Sequence, residues 1–182
     1  MIGRRFLAAP IAALAITLNV SAPAKADEAM IEACLKAAAE VDHVSAGVLV
    51  LLISAEAGRL GEVTPNINDK GVVTSVDIGP MQVNDTWLGK IAEHWRAQRE
   101  ETYRALRDNF CANVEGGAWI LRQALDEAGG DLWEGVALYH SHKSVHKLEY
   151  MRLVYDQAMR LKREAAREAR GKVASANAGG GR

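Results

Sequence analysis

Residues 46–58, AGVLVLLISAEAG, are apolar on every side, the pattern of a helix covered by neighbours on all its faces. A buried strand is the rival reading, because residues 48–53 form one continuous apolar run. The length of the segment, and Gly58 where the residue after a helix belongs, favour the helix. Such a segment cannot stand in water alone, so the rest of the chain must wrap it. With 49% apolar residues the chain has enough material for a real core. The one charge in the segment, Glu56, falls in its last turn. There the negative end of the helix dipole opposes ionisation, and partial burial against Leu52 and Ile53 pushes the same way. Both effects keep a protonated carboxyl available near neutral pH, as a general acid requires. The plain alternative is a solvated charge at a helix end.

The first 26 residues are of a different kind. Arg4 and Arg5 precede an apolar stretch over residues 6–20, and Ala24-Lys25-Ala26 offers a small-residue cleavage site. This is the pattern of a secretory signal peptide cut after Ala26. An uncleaved anchor is the alternative, but the run is shorter than the ~20 residues that a span needs. The whole chain carries a formal charge of −1. Residues 1–26 hold three bases and no acid, so the remainder carries −4. Nothing globally basic points to nucleic acid. The reading is an exported chain with no stable membrane span after cleavage. Its only cysteines, Cys34 and Cys111, have fixed connectivity if they bridge, with two buried thiols as the alternative.

The remaining segments read as follows. Residues 27–42 repeat Ile31, Cys34, Leu35 and Ala38 at helical spacing, and Ser45 can cap the helix after them. Residues 61–84 turn to Thr, Val, Asn, Asp and Gly, predicting a β-hairpin with its turn at residues 68–71 and its return strand at residues 72–76. Asp85 is placed to cap one long helix over residues 86–106, with Leu88, Ile91 and Trp95 on its apolar stripe. A further helix over residues 113–128 ends at Gly129-Gly130, and Asp131 with Glu134 has capping-box spacing. A last helix begins at Ser144 and presents Leu148, Met151, Tyr155 and Ala158 on one face. The basic run over residues 162–172 reads as a solvated face. The fold class is α+β, mainly α: a signal peptide at 1–26, one domain at 27–166 and a disordered tail at 167–182.

Residues 77–84, DIGPMQVN, follow the hairpin, and Gln82 and Asn84 bring amides that suit sugar hydroxyls and acetamido groups, although a plain connector has the same composition. Glu56, an Asn/Asp/Gly hairpin, DIGPMQVN, Trp87, NFCANVEGGAWIL and ALYHS then follow in order. This series resembles the lysozyme-like lytic transglycosylases, in particular the small exported ones that accompany conjugation and type IV secretion systems, over residues 31 to about 160. The resemblance implies a lysozyme-like helical domain with a glycan-binding cleft and Glu56 as sole catalytic acid and base. Met81 and Gln82 would line the cleft, and Tyr139 would hold the carboxyl or the substrate from the opposite wall. Asn113 is a further cleft candidate, with a structural cap as the alternative. A Cys34–Cys111 disulfide also resembles that of the subgroup. Two positions depart from the pattern: Ala57 stands where a serine is usual, and Pro80 where leucine or a similar residue is usual. Both bear on rate.

Three further features need weighing. Asp77 resembles the second carboxylate of animal-type lysozymes, while the bland reading is a hairpin aspartate bonding its own backbone. His140, His142 and His146 lie close together, but no Cys or acidic partner completes a metal spacing, so no metal and no cofactor are expected. His140 fits the cleft rim beside Tyr139. The leading expectation is a peptidoglycan lytic transglycosylase, with glycan strands as substrate and proteins of a secretion or conjugation apparatus as partners. The alternatives are a muramidase using Glu56 and Asp77, or a non-catalytic wall-binding assembly subunit.

Overall fold

The computed structural model describes residues 23–179. Most of the proposed signal peptide, residues 1–22, lies outside the described residues. Residues 23–26 form the first turn of α1, Pro23–Val41. The other helices are α2 (Ala46–Glu56), α3 (Leu88–Trp95), α4 (Arg99–Asp108), α5 (Phe110–Glu127), α6 (Leu132–His140) and α7 (Ser144–Gly179). Between α2 and α3 lies an antiparallel sheet of β1 (Val63–Ile67), β2 (Val73–Ile78) and β3 (Val83–Asn84), in that spatial order. The fold is thus α+β and mainly α. No single helix among the described residues is long and apolar enough to cross a membrane.

The central element is α5, not α2. Nine α5 residues are buried, from Asn113 and Val114 through Leu121 to Leu125, and the helix packs against α1, α2, α4 and α6. In α2, Leu49 and Leu52 are fully buried, but Val50 stands 38% exposed. An all-round apolar segment therefore has one wet side, because α1, α5 and α7 cover only three. Cys34 of α1 is bonded to Cys111 of α5, with Cα atoms 5.0 Å apart across 77 residues of sequence. Closing a loop of that length restricts the unfolded chain by roughly 4 kcal/mol in the chain-entropy account.

Local chemistry explains most boundaries. The hairpin turn is held by the Asn68 side chain, which accepts from the backbone N–H groups of Lys70 and Val72, while Gly71 takes φ +74°. Pairing runs Val63 to Ile78 and Thr64 to Asp77, with an irregularity after Asn66. A third strand, β3, extends the expected hairpin and pairs Asp77 with Asn84. Asp131 caps α6 by accepting from the Glu134 N–H. Ser45 sits at the N-cap of α2 but makes no side-chain cap bond.

Four expectations are corrected. Residues 86–106 do not form one helix. A single 3-10 turn, Asp85–Trp87, leads into α3, capped by Asn84 rather than Asp85. The chain then breaks at Arg96 in left-handed backbone, and Gln98 with Glu101 builds a capping box that restarts it as α4. At the end of α2 the left-handed residue is Ala57, one place earlier than Gly58. On α7 Tyr150 and Val154 are buried, and of the expected stripe Met151 and Ala158 pack against the core, whereas Leu148 and Tyr155 are 65% and 64% exposed. The stripe is rotated because α7 packs on both α2 and α6. Finally, α7 does not end near residue 166 but runs to Gly179. Its alanines and long charged residues favour helix intrinsically, and residues 162–172 are exposed throughout.

Candidate active site

The last residue of α2 is Glu56, and the chain leaves the helix there because Ala57 turns left-handed at φ 53°. Gly58 then runs tightly along the loop between β2 and β3. A Cβ at Gly58 would overlap the Gly79 carbonyl oxygen and the Gln82 amide. Only glycine allows this approach, which brings the end of α2 beside the sheet.

That loop, residues 79–82, is clamped from below and from the side. Asn113 lies wholly inside the protein. Its Nδ2 donates to the carbonyls of Ile78 and Leu106, both at 2.9 Å, and its Oδ1 accepts from the Met81 N–H at 2.8 Å. From α6, the Tyr139 hydroxyl donates to the Met81 carbonyl at 2.8 Å. Burial pushes the Tyr139 phenol well above its usual range, so it stays a donor. Gln82 is held in left-handed backbone at φ 48° and donates from Nε2 to the Gly79 carbonyl at 2.9 Å.

Across the sheet runs a polar ladder. Asp77 Oδ2 accepts from Asn66 at 2.9 Å, and its Oδ1 from Asn84 at 2.7 Å. Ser75 Oγ accepts from both asparagines at 3.1 Å. Asp77 thus bonds neighbouring side chains rather than its own backbone. Asn84 is also used at its other end, where Oδ1 accepts from Thr86.

These parts enclose a cleft of about 550 Å³. Glu56, Asn66, Asp77, Gln82, Tyr139 and His140 are among the residues that line it. The Glu56 carboxyl is half-buried and accepts a 2.6 Å hydrogen bond from the Tyr150 hydroxyl of α7. The Glu56 pKa is raised to about 7: burial raises it most, the Tyr150 bond pulls it down, and the Asp77 charge adds to the rise. Near neutral pH this carboxyl can therefore both give and take a proton. Behind Tyr150 lies His140, stacked on its ring at 4.2 Å and 3°. Burial lowers the His140 pKa, with His146 acting the same way.

The expected cleft residues sort as follows. Glu56, Asp77, Gln82, Tyr139 and His140 all line the cleft. Met81 does not: its side chain is fully buried and packs over Gly117, because the left-handed turn at Gln82 swings it inward. Asn113 does not either, and it is no helix cap, since Asn109 caps α5 and Asn113 lies inside the helix. Tyr139 holds the Met81 carbonyl, and the carboxyl is held instead by Tyr150. Tyr150 escaped the sequence reading, although it lies four residues before Val154 on the buried stripe of α7. Asn66 escaped as well.

If the Tyr150 hydroxyl holds down the Glu56 pKa, then Tyr150→Phe must move the Glu56 titration to higher pH. NMR of a labelled carboxyl carbon reads this directly. A titration that stays in place or moves down would show that the 2.6 Å bond does not stabilise the carboxylate. No protein-family model matches the chain, and no curated protein is found to be similar to it in sequence.

Proposed function

We propose that the chain is a peptidoglycan lytic transglycosylase that cleaves the β-1,4 bond between N-acetylmuramic acid and N-acetylglucosamine. The observation that carries this reading is Glu56: one half-buried carboxyl with its pKa raised to about 7, opening on a polar cleft. The order of motifs along the chain, which resembles that of the small exported lytic transglycosylases, supports it. So does the Cys34–Cys111 disulfide, which fits an oxidising compartment. An exported enzyme of this type would open the wall locally for a secretion or conjugation apparatus.

The chemistry needs one protein group. Protonated Glu56 gives its proton to the glycosidic oxygen as the bond to C1 of the muramoyl unit breaks. The oxygen of that unit's own acetamido group bonds to C1 and carries the positive charge. The free N-acetylglucosamine end departs with the proton. Ionised Glu56 then takes the proton of the C6 hydroxyl while O6 displaces the acetamido oxygen at C1. The product is a 1,6-anhydro ring, and Glu56 ends protonated, as it began.

The rival is a muramidase in which Asp77 serves as a second carboxylate, and it is favoured by Asp77 lining the same cleft. Against it, both Asp77 oxygens already accept from amides. Digestion of purified sacculi by the wild-type chain and by Asp77→Asn, with products resolved by mass, separates the two. Anhydro ends from both proteins, with turnover reduced less than about tenfold in the variant, are the expected result. Reducing ends, lost in Asp77→Asn by the ~10²–10⁴-fold of a missing catalytic group, would replace the transglycosylase reading with the muramidase one.

A further inference from the structure

The cleft is lined by groups of opposite character. Glu56 and Asp77 come from α2 and the sheet, while His140, His142, Lys143 and His146 come from the end of α6 and the start of α7. The catalytic scheme uses none of these four. His142 Nε2 lies 3.0 Å from a Glu127 carboxyl oxygen, and His146 Nδ1 lies 3.8 Å from Glu149. Lys147, one turn further on, is paired with Glu134. Lys143 makes no ion pair among the described residues, and its backbone N–H is held at 3.1 Å by Ser141 Oγ. Its carbonyl accepts from the Lys147 N–H, so Lys143 sits where α7 begins, and the positive end of that helix adds to its charge. The result is a cleft-lining ammonium with no ion pair among the described residues, beside two imidazoles that already face carboxylates.

We propose that Lys143, with His142 and His146 beside it, forms an anion subsite for a carboxylate-bearing substituent of the glycan, and that this subsite selects acidic strands over neutral ones. The inference rests on reading the cleft as a glycan site. The carboxylate has two sources on such a strand: the lactyl acid of a peptide-free muramoyl unit, or the carboxylates of an attached peptide. A carboxylate anchored on Lys143 has its charge met by the ammonium, which offsets the repulsion from Asp77 in the same cleft. It thereby helps to set which sugar spans the acid. Because Lys143 is exposed, the selection is modest and weakens with salt.

The test is calorimetric binding to the full Glu56→Gln chain, which does not consume the ligand. Four probes are compared: a neutral N-acetylglucosamine tetramer, a muramoyl-containing tetrasaccharide with free lactyl acids, the same with those acids amidated, and the same carrying peptide. The free-acid or peptide-bearing probe should bind about 5–10-fold tighter than the amide. Lys143→Ala should abolish that preference without changing binding of the neutral tetramer, and Lys143→Arg should restore it. The arm that shows the preference identifies the source of the carboxylate. Equal binding of acid, peptide and amide probes, with the neutral tetramer still bound, overturns the subsite and leaves the glycan reading standing. A uniform weakening of all probes by Lys143→Ala overturns it in the same way. If no probe binds, the glycan reading fails and this inference fails with it.

Discussion

Glu56→Gln is expected to cut turnover of purified peptidoglycan by at least about 10²–10⁴-fold, since one group serves as acid in the first step and as base in the second. Glutamine keeps the size and can still accept from the Tyr150 hydroxyl. The loss would therefore report the missing proton rather than a collapsed site. The same change should stabilise the protein, with a definite pH dependence. In the folded state the carboxyl titrates at about 7, above its ordinary 4.5. Folding therefore favours the protonated form: the contribution of Glu56 to stability is full below its unfolded pKa and is lost as pH rises through the folded value. Above about pH 7 the ionised carboxylate costs on the order of 2–3 kcal/mol, which glutamine does not. Urea denaturation should find the variant more stable than the wild type at pH 8, with most of that margin gone by pH 5. A fully active variant would return Glu56 to the status of a charge at a helix end. A stability margin independent of pH would mean that the carboxyl is not held protonated by its surroundings.

The second large effect lies out of reach of any substrate. Asn113→Ala should leave the Met81 N–H and the Ile78 and Leu106 carbonyls without their present partner, in a part of the protein that water does not enter. At about 1–3 kcal/mol for each of the three unsatisfied groups, the total is at least about 3 kcal/mol, a large share of what holds a domain of this size together. Asn113→Asp is the sharper probe. Its Oδ1 still accepts from Met81, but the other oxygen faces two carbonyl oxygens and needs a proton to bond either. Its destabilisation should therefore grow as pH rises above the usual carboxylate range. Chemical denaturation across pH reads both variants. An alanine variant within about 1 kcal/mol of wild type would show that the loop does not depend on this clamp.

The contrast between Glu56 and Asn113 shows what the amino-acid order makes visible. A helix end, a turn opened by Asn and closed by Gly, and a capping aspartate are local facts, and α2, the residue 68–71 turn and the Asp131 cap follow from neighbours a few places apart. Glu56 is legible for the same reason, since an acid closing an apolar helix stands out. The partner of Glu56 is not, because Tyr150 lies 94 residues away and only the packing of α7 on α2 joins them. Met81 and Asn113 mislead for a related reason. Each is next to, or chemically like, a cleft residue, but the left-handed turn at Gln82 sends Met81 inward and Asn113 beneath the loop. The split between α3 and α4 hinges on Arg96, whose left-handed backbone no composition announces. The extent of α7 was missed in the opposite sense, since small residues with little to pack still favour a helix intrinsically.

The bond between Tyr150 and Glu56 has a bearing on how a cell could make such a protein safely. In an unfolded chain nothing buries Glu56 and nothing holds it near Tyr150, so it ionises as an ordinary carboxylate and has little proton to give at neutral pH. The proton is held only once folding has buried Glu56, and the Tyr150 bond from α7 then limits how far the pKa rises. On the proposed function, such a chain cannot cut glycan before it has folded, and completion of the fold arms it.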